Sequence, residues 1–165
     1  MELRNRKIDM GCGKDNIDGY LHLDRRFHSP HIDLAWDLNL VSYPFLDNTF
    51  SEVRMYDVFE HLDSPLDVLN EIHRILILGG IFDFRVPTIE DTNLWGDITH
   101  KRPFTEGSFD HFIRGTFYND KYGYYSERLW ELVDRQVTEE GRTITFKLRR
   151  CSGVMYLICD IISYD

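Results

Sequence analysis

Lys7-Ile8-Asp9-Met10-Gly11-Cys12-Gly13 reads as a short buried strand that runs into a glycine turn. Two glycines one residue apart let the main chain bend sharply and lie bare against a ligand, because neither carries a Cβ. After a polar stretch, Lys14-Asp15-Asn16-Ile17-Asp18, a second apolar run, Gly19-Tyr20-Leu21-His22-Leu23-Asp24, also ends in an acid. The stretch between them is too short and too polar for the helix that usually links two parallel strands. The first crossover is therefore expected to be a loop or a single turn. Two acids flanking a bare turn could hold the two ends of one small molecule, although short glycine motifs also arise as ordinary strand-to-loop turns.

Further strands are expected at Ile32–Leu38, ending near Asp37, at Ser51–Tyr56 and at Ile81–Val86. Between the last two lies the clearest helix, Pro65–Leu76. Ser64 and Asp67 form a Ser-x-x-Asp cap signature, Pro65 suits the first helical position, and Leu66, Leu69, Ile72, His73 and Leu76 share one face. Gly79-Gly80 is expected to stop it. Thr88–Gly107 is long and polar, as a lid or binding loop would be, with a short helix expected at Ser108–Ile113. Gly115–Tyr125 reads as a loop packed by its own rings. Leu129–Val137 is ambiguous between helix and strand, whereas Thr143–Arg149 alternates as a strand and Val154–Ile162 reads as a buried one. The expected fold is α/β, a Rossmann-like, doubly wound and mainly parallel sheet with an antiparallel C-terminal edge, in one domain over residues 1–165.

A formal charge of −9, from 19 basic and 28 acidic residues, disfavours long-range attraction to nucleic acid or an anionic membrane. No stretch reaches the ~18 apolar residues of a membrane span, and no targeting signal is evident. Three scattered cysteines, Cys12, Cys151 and Cys159, form neither a disulfide framework nor a zinc ribbon and fit a reducing compartment, by default the cytoplasm. His28 and His31 lack an evident third ligand, so no metal is expected. Nothing in the sequence signals an oligomeric state.

Taken in order, the motifs resemble a small class I S-adenosylmethionine-dependent methyltransferase, type 11-like, with a shortened first crossover. Asp9-Met10-Gly11-Cys12-Gly13 resembles that family's first motif, and Gly19–Asp24 its second strand with the ribose-binding acid. Pro44-Phe45-Leu46-Asp47-Asn48-Thr49-Phe50-Ser51-Glu52-Val53 resembles the run before its fourth strand, while Phe59-Glu60-His61-Leu62 and Arg74–Gly80 resemble two further signatures. The resemblance covers about residues 7–87, with a weaker echo in Asp97–Thr105. Two departures stand out: the third glycine is absent, with Asp15 and Asn16 nearby, and Ile77-Leu78 precede the paired glycines in place of Lys-Pro.

The resemblance implies S-adenosyl-L-methionine as cofactor. Gly11 and Gly13, with Met10 and Cys12 between and beside them, would approach its methionine part, and Asp9 would favour the ammonium. Asp24, with Arg25 next to it, would take the ribose diol, and Asp37 with Leu38 would meet adenine. Tyr56 and Asp57 would contact the methionine part or the acceptor, or Asp57 would cap the next turn. His61 falls in the same region and either packs or takes part. Transfer of a methyl group to a small-molecule or saccharide-like acceptor relies chiefly on alignment, with a base only where the acceptor must lose a proton. His100, with Asp97 three residues earlier, is the candidate base, or else a residue that orders the loop. The alternative is a degenerate or non-catalytic cofactor-binding domain that serves as a partner module. A nicotinamide dehydrogenase is disfavoured by the missing third glycine, and no P-loop is present.

Overall fold

A computed structural model describes residues 6–138 and 140–152. Among these residues seven strands make one sheet: β1 (Arg6–Met10), β2 (Tyr20–Asp24), β3 (Leu34–Ala35), β4 (Phe50–Tyr56), β5 (Leu76–Pro87), β6 (Trp130–Val137) and β7 (Thr143–Arg150). Their order across the sheet is β3-β2-β1-β4-β5-β7-β6. The first five run parallel, and β7 and β6 close the edge antiparallel. The strand order reverses beside β1, so the ends of β1 and β4 open a crevice where ligands of such sheets bind.

Register sorts the side chains into two faces. Leu21, Ile8, Val53, Phe82 and Leu148 stand side by side across five strands, and Met55, Phe84 and Phe146 repeat the pattern one step on. These residues form one apolar core with Val68, Leu69, Ile72 and Ile75 of helix α1 (Pro65–Ile75), and with Phe59, Phe104, Phe109 and Trp130. The stacked rings of Phe82, Phe84 and Phe146 run through its centre. The other face carries His22, Asp9, Arg54, Asp83 and Lys147 in one continuous row. Charges of opposite sign meet along it: Arg54 reaches Asp9 at 2.8 Å and Lys147 reaches Asp83 at 3.4 Å.

The mainly parallel sheet with its antiparallel edge and α1 agree with the sequence reading, and several local details differ. The third strand shrinks to two residues because Asp37 closes a turn, accepting from Asn39 N–H on its side chain and from Leu40 N–H on its carbonyl. Helix α1 ends at Ile75, before the glycines, since Asn48 and Thr49 N–H take the Arg74 and Ile75 carbonyls. Gly79-Gly80 instead sit in a bulge of β5, where Phe50 pairs with Leu76 but Glu52 already pairs with Ile81. Ser64 makes no backbone cap; its hydroxyl donates to Asp67 at 2.6 Å. Leu129–Val137 resolves as strand β6. The segment after β5 holds two short helices, α2 (Thr92–Gly96) and α3 (Phe117–Tyr122), and the expected helix at Ser108–Ile113 is a single 3-10 turn, Asp110–Phe112. Rings of Tyr118, Tyr122 and Tyr125 gather around His111. The strand expected at Val154–Ile162 lies outside the described residues. Among the described residues Cys12 and Cys151 form no disulfide. Among the described residues no helix is long and apolar enough to cross a membrane.

Candidate active site

Strands β1, β2 and β4 end around a groove of about 720 Å³. Gly11, Asp24, Arg25, Trp36, Asp37 and Leu38 line one side, and Val58, His61, Leu62, Asp63, Thr99 and Lys101 the other. Its volume falls in the range of small-molecule sites.

The floor is the turn after β1. Gly11 has φ +77°, and a Cβ there would stand 2.4 Å from Val58 Cγ2. Its N–H and that of Cys12 both donate to the Leu23 carbonyl, at 2.7 and 3.1 Å, tying the turn to β2. Gly13, at φ +57°, faces open space, so the left-handed backbone is what favours glycine there. Asp24 closes the turn from the other side: Oδ2 accepts Gly13 N–H at 2.8 Å, and Oδ1 accepts Arg25 N–H at 2.6 Å. Each carboxylate oxygen keeps a lone pair for a further donor. Arg25 spans the groove wall to Asp37 at 3.2 Å.

Other residues expected here lie beneath or beside the groove. Met10 and Cys12 are buried, and burial together with the nearby Asp24 and Asp9 charges pushes the Cys12 thiol up to about 12. Cys12 is therefore a packed thiol rather than a nucleophile. Asp9, fully buried, spends Oδ2 on Arg54, while its Oδ1 has no partner among the described residues. Burial raises its pKa and the guanidinium opposes that rise. Tyr56 turns to the polar face, where its hydroxyl donates to Asp83 at 3.0 Å and its ring lies 3.9 Å under the Arg54 guanidinium. Asp57 pairs side-on with the Arg85 guanidinium, Nε to Oδ1 at 2.9 Å, and makes no cap on the 3-10 turn Phe59–His61 that follows.

The opposite wall is made by that 3-10 turn and the segment Asp97–Arg102. Lys101 N–H donates to the Glu60 carbonyl at 2.8 Å, Lys101 Nζ pairs with Asp63, and Arg102 donates to the Asp63 carbonyl at 3.1 Å. This fastening brings His100 against His61, ring centroids 4.7 Å apart. His61 lines the groove and His100 stands behind it, 3.9 Å from Asp97. Two hydrogen bonds from Thr99 hold the Asp97 carboxyl below its usual range. Glu60, 1% exposed, lies beneath the pair, and burial lifts its carboxyl to about 7. Glu60 and Trp36 escaped the sequence reading as site residues. Trp36 adjoins Asp37 in the chain, a signal that could have found it, whereas Glu60 becomes visible only once the distant His100 is placed.

Residues 8–84 match a family model described as a methyltransferase domain. Over that stretch the chain is similar to a methyltransferase domain. An uncharacterized protein of Methanocaldococcus jannaschii is 33% identical over 82 residues, 42% of this chain and 35% of that one. The chain thus spans about a third of that curated relative's length. Among solved structures, an S-adenosylmethionine-dependent methyltransferase from Archaeoglobus fulgidus superposes with a TM-score of 0.60 at 14% identity, covering 90% of this chain and 87% of the other. The Burkholderia thailandensis 1,6-didemethyltoxoflavin-N1-methyltransferase, with bound 1,6-didemethyltoxoflavin and S-adenosylhomocysteine, superposes at 0.61 with 14% identity, over 90% of this chain and 72% of that one. At such identity the structures speak for the fold. The mixed sheet with its flanking helices matches their Rossmann-like fold.

Proposed function

We propose that the chain is an S-adenosylmethionine-dependent methyltransferase acting on a small-molecule or saccharide-like acceptor. The observation that carries the reading is the Asp24 carboxylate, held by Gly13 and Arg25 N–H at the end of β2 with lone pairs left over, on the wall of a groove floored by Gly11. A ribose diol needs such a pair of acceptors. A methionine moiety needs bare backbone, and Gly11 lines the groove without a side chain, its missing Cβ leaving room for Val58.

In this reading Asp24 accepts the ribose hydroxyls, and Trp36, Asp37 and Leu38 border the adenine. Gly11 and Gly13 flank the methionine part, with Met10, Cys12 and Asp9 as its buried support. Tyr56 and Asp57 act one step back, fixing Arg54 and Arg85 at the end of the sheet. The cofactor supplies an electrophilic methyl group on a sulfonium. The protein's own task is to hold the acceptor in line and keep water out, which gives most of the rate in a direct displacement. Where an acceptor must lose a proton, the His61 and His100 pair is the assigned base, with Asp97 orienting it. A cytoplasmic, reducing setting suits the free thiols of Cys12 and Cys151.

Incubation with methyl-labelled S-adenosylmethionine and a panel of hydroxylated small molecules and sugars tests this reading. Label on at least one acceptor, lost in Asp24→Ala, is the expected result. Cofactor binding with no transfer to any acceptor would favour the partner-module alternative.

A further inference from the structure

Three side chains of ligand type converge at the groove wall. Glu60 and His61 come from the 3-10 turn after β4, and His100 comes from the segment beyond β5. One donor atom from each lies within 4.8 Å of the other two. Glu60 is the anomaly, because its Oε2 is buried with no hydrogen-bond partner among the described residues. A bare buried carboxylate oxygen is costly unless something binds it.

The two imidazoles are oriented as ligands would be. His100 Nδ1 lies 3.0 Å from the Leu94 carbonyl oxygen, which can only accept, so Nδ1 carries the proton and Nε2 keeps a lone pair. Thr99 sets His61 in the same way. Its hydroxyl donates to Asp97 Oδ1 at 2.6 Å, so its oxygen accepts from His61 Nδ1 at 2.9 Å and leaves His61 Nε2 free. A carbonyl behind one ring, and a carboxylate-backed hydroxyl behind the other, are the outer partners that metal-binding histidines use. Asp97 Oδ2, 3.9 Å from His100 Nε2, is beyond hydrogen-bond reach and so calls for no proton on that nitrogen.

We propose that Glu60, His61 and His100 form a binding site for a divalent zinc-type ion, with one coordination position left open at the groove. Two imidazoles and one carboxylate are a set that zinc accepts while keeping a fourth position for water or substrate. Ligands about 2.1 Å from zinc stand about 3.4 Å from one another, so the three side chains, within 4.8 Å now, close by up to about 1.4 Å on binding. His61 and Thr99 line the groove, so an oxygen donor entering from it, water or an acceptor hydroxyl, completes the set. Only that last role rests on the methyltransferase reading. In a loaded site His100 is a ligand and no longer a free base.

The test is calorimetric titration of the chelator-treated full chain with Zn²⁺ alone, followed by Co²⁺, whose visible absorption reports a tetrahedral site. One ion per chain is expected, with affinity falling by roughly tenfold or more in Glu60→Gln and in His100→Asn, and holding in His111→Ala. Circular dichroism checks that each variant is folded. No binding by the wild type, or binding untouched in both Glu60→Gln and His100→Asn, overturns the site. A separate titration with S-adenosylmethionine, without metal, keeps the two readings apart: failure there removes the cofactor assignment and leaves the ion result standing.

Discussion

Asp24 Oδ2 accepts the Gly13 N–H at 2.8 Å, so the acid assigned to the ribose also closes the glycine turn. The two halves of the groove floor are one hydrogen-bonded unit, which compensates for a first crossover reduced to a loop. Asp24→Ala is therefore expected to weaken S-adenosylmethionine binding by about 1–3 kcal/mol, the usual cost of stripping a partner from buried polar groups. It should also speed amide exchange at Gly13. Calorimetry and hydrogen exchange read the two effects, and an unchanged affinity in a folded variant would misplace the ribose.

Gly11→Ala meets two obstacles, a φ of +77° and the Val58 methyl group 2.4 Å from the new Cβ. A loss of about 1–3 kcal/mol in unfolding free energy is expected. Gly11→Ala with Val58→Ala should recover the steric part and leave the backbone part. Urea denaturation of the single and double variants measures both. Full recovery would mean that the left-handed backbone costs nothing.

The Asp9–Arg54 pair crosses from β1 to β4 at 2.8 Å, with Asp9 wholly buried. Arg54→Met strands that carboxylate and should cost about 3–5 kcal/mol, whereas Asp9→Leu combined with Arg54→Met should restore most of it. The comparison distinguishes a pair that holds the fold from one kept for the polar face it organises.

His73 packs edge-on against Trp130, and its Nε2 approaches the Leu129 and Cys151 carbonyls at 3.3 and 3.2 Å. Burial, aided by the Arg150 and Arg128 charges, lowers its pKa to about 4. Between about 6.5 and 4 the unfolded chain binds the proton and the folded one does not, so stability contributed by neutral His73 falls as pH drops through that window. Glu60, raised to about 7, has the opposite slope, losing stability as pH rises from its unfolded value through about 7. Melting temperatures of wild type and His73→Gln across pH 4 to 8 isolate the first effect. The wild type should lose more stability on acidification than the variant, and parallel curves would remove His73 as the cause.

What could be read from the residues alone divides along physical lines. The glycine turn, the acid closing β2 and the amphipathic helix are local signals: Gly11 and Asp24 line the groove and α1 forms, while Asp37 lines the groove from a turn beyond the shortened β3. Features made by long-range packing were hidden. The row His22–Asp9–Arg54–Asp83–Lys147 exists only through register, which turned Asp9 from a groove acid into half of an ion pair. Glu60, His61 and His100 became neighbours only because Lys101 N–H fastens a distant segment to the Glu60 carbonyl. Ends of elements shifted where a side chain or a neighbouring strand claimed a backbone group, as Asp37 did after β3 and Asn48 with Thr49 did after α1.

The most direct test of the central claim is isothermal titration of the wild-type chain with S-adenosylmethionine and, in parallel, with oxidised nicotinamide adenine dinucleotide. The account predicts one saturable site for S-adenosylmethionine in the micromolar range and no heat of binding from the dinucleotide. Absence of S-adenosylmethionine binding at high micromolar concentration, or preference for the dinucleotide, would contradict it.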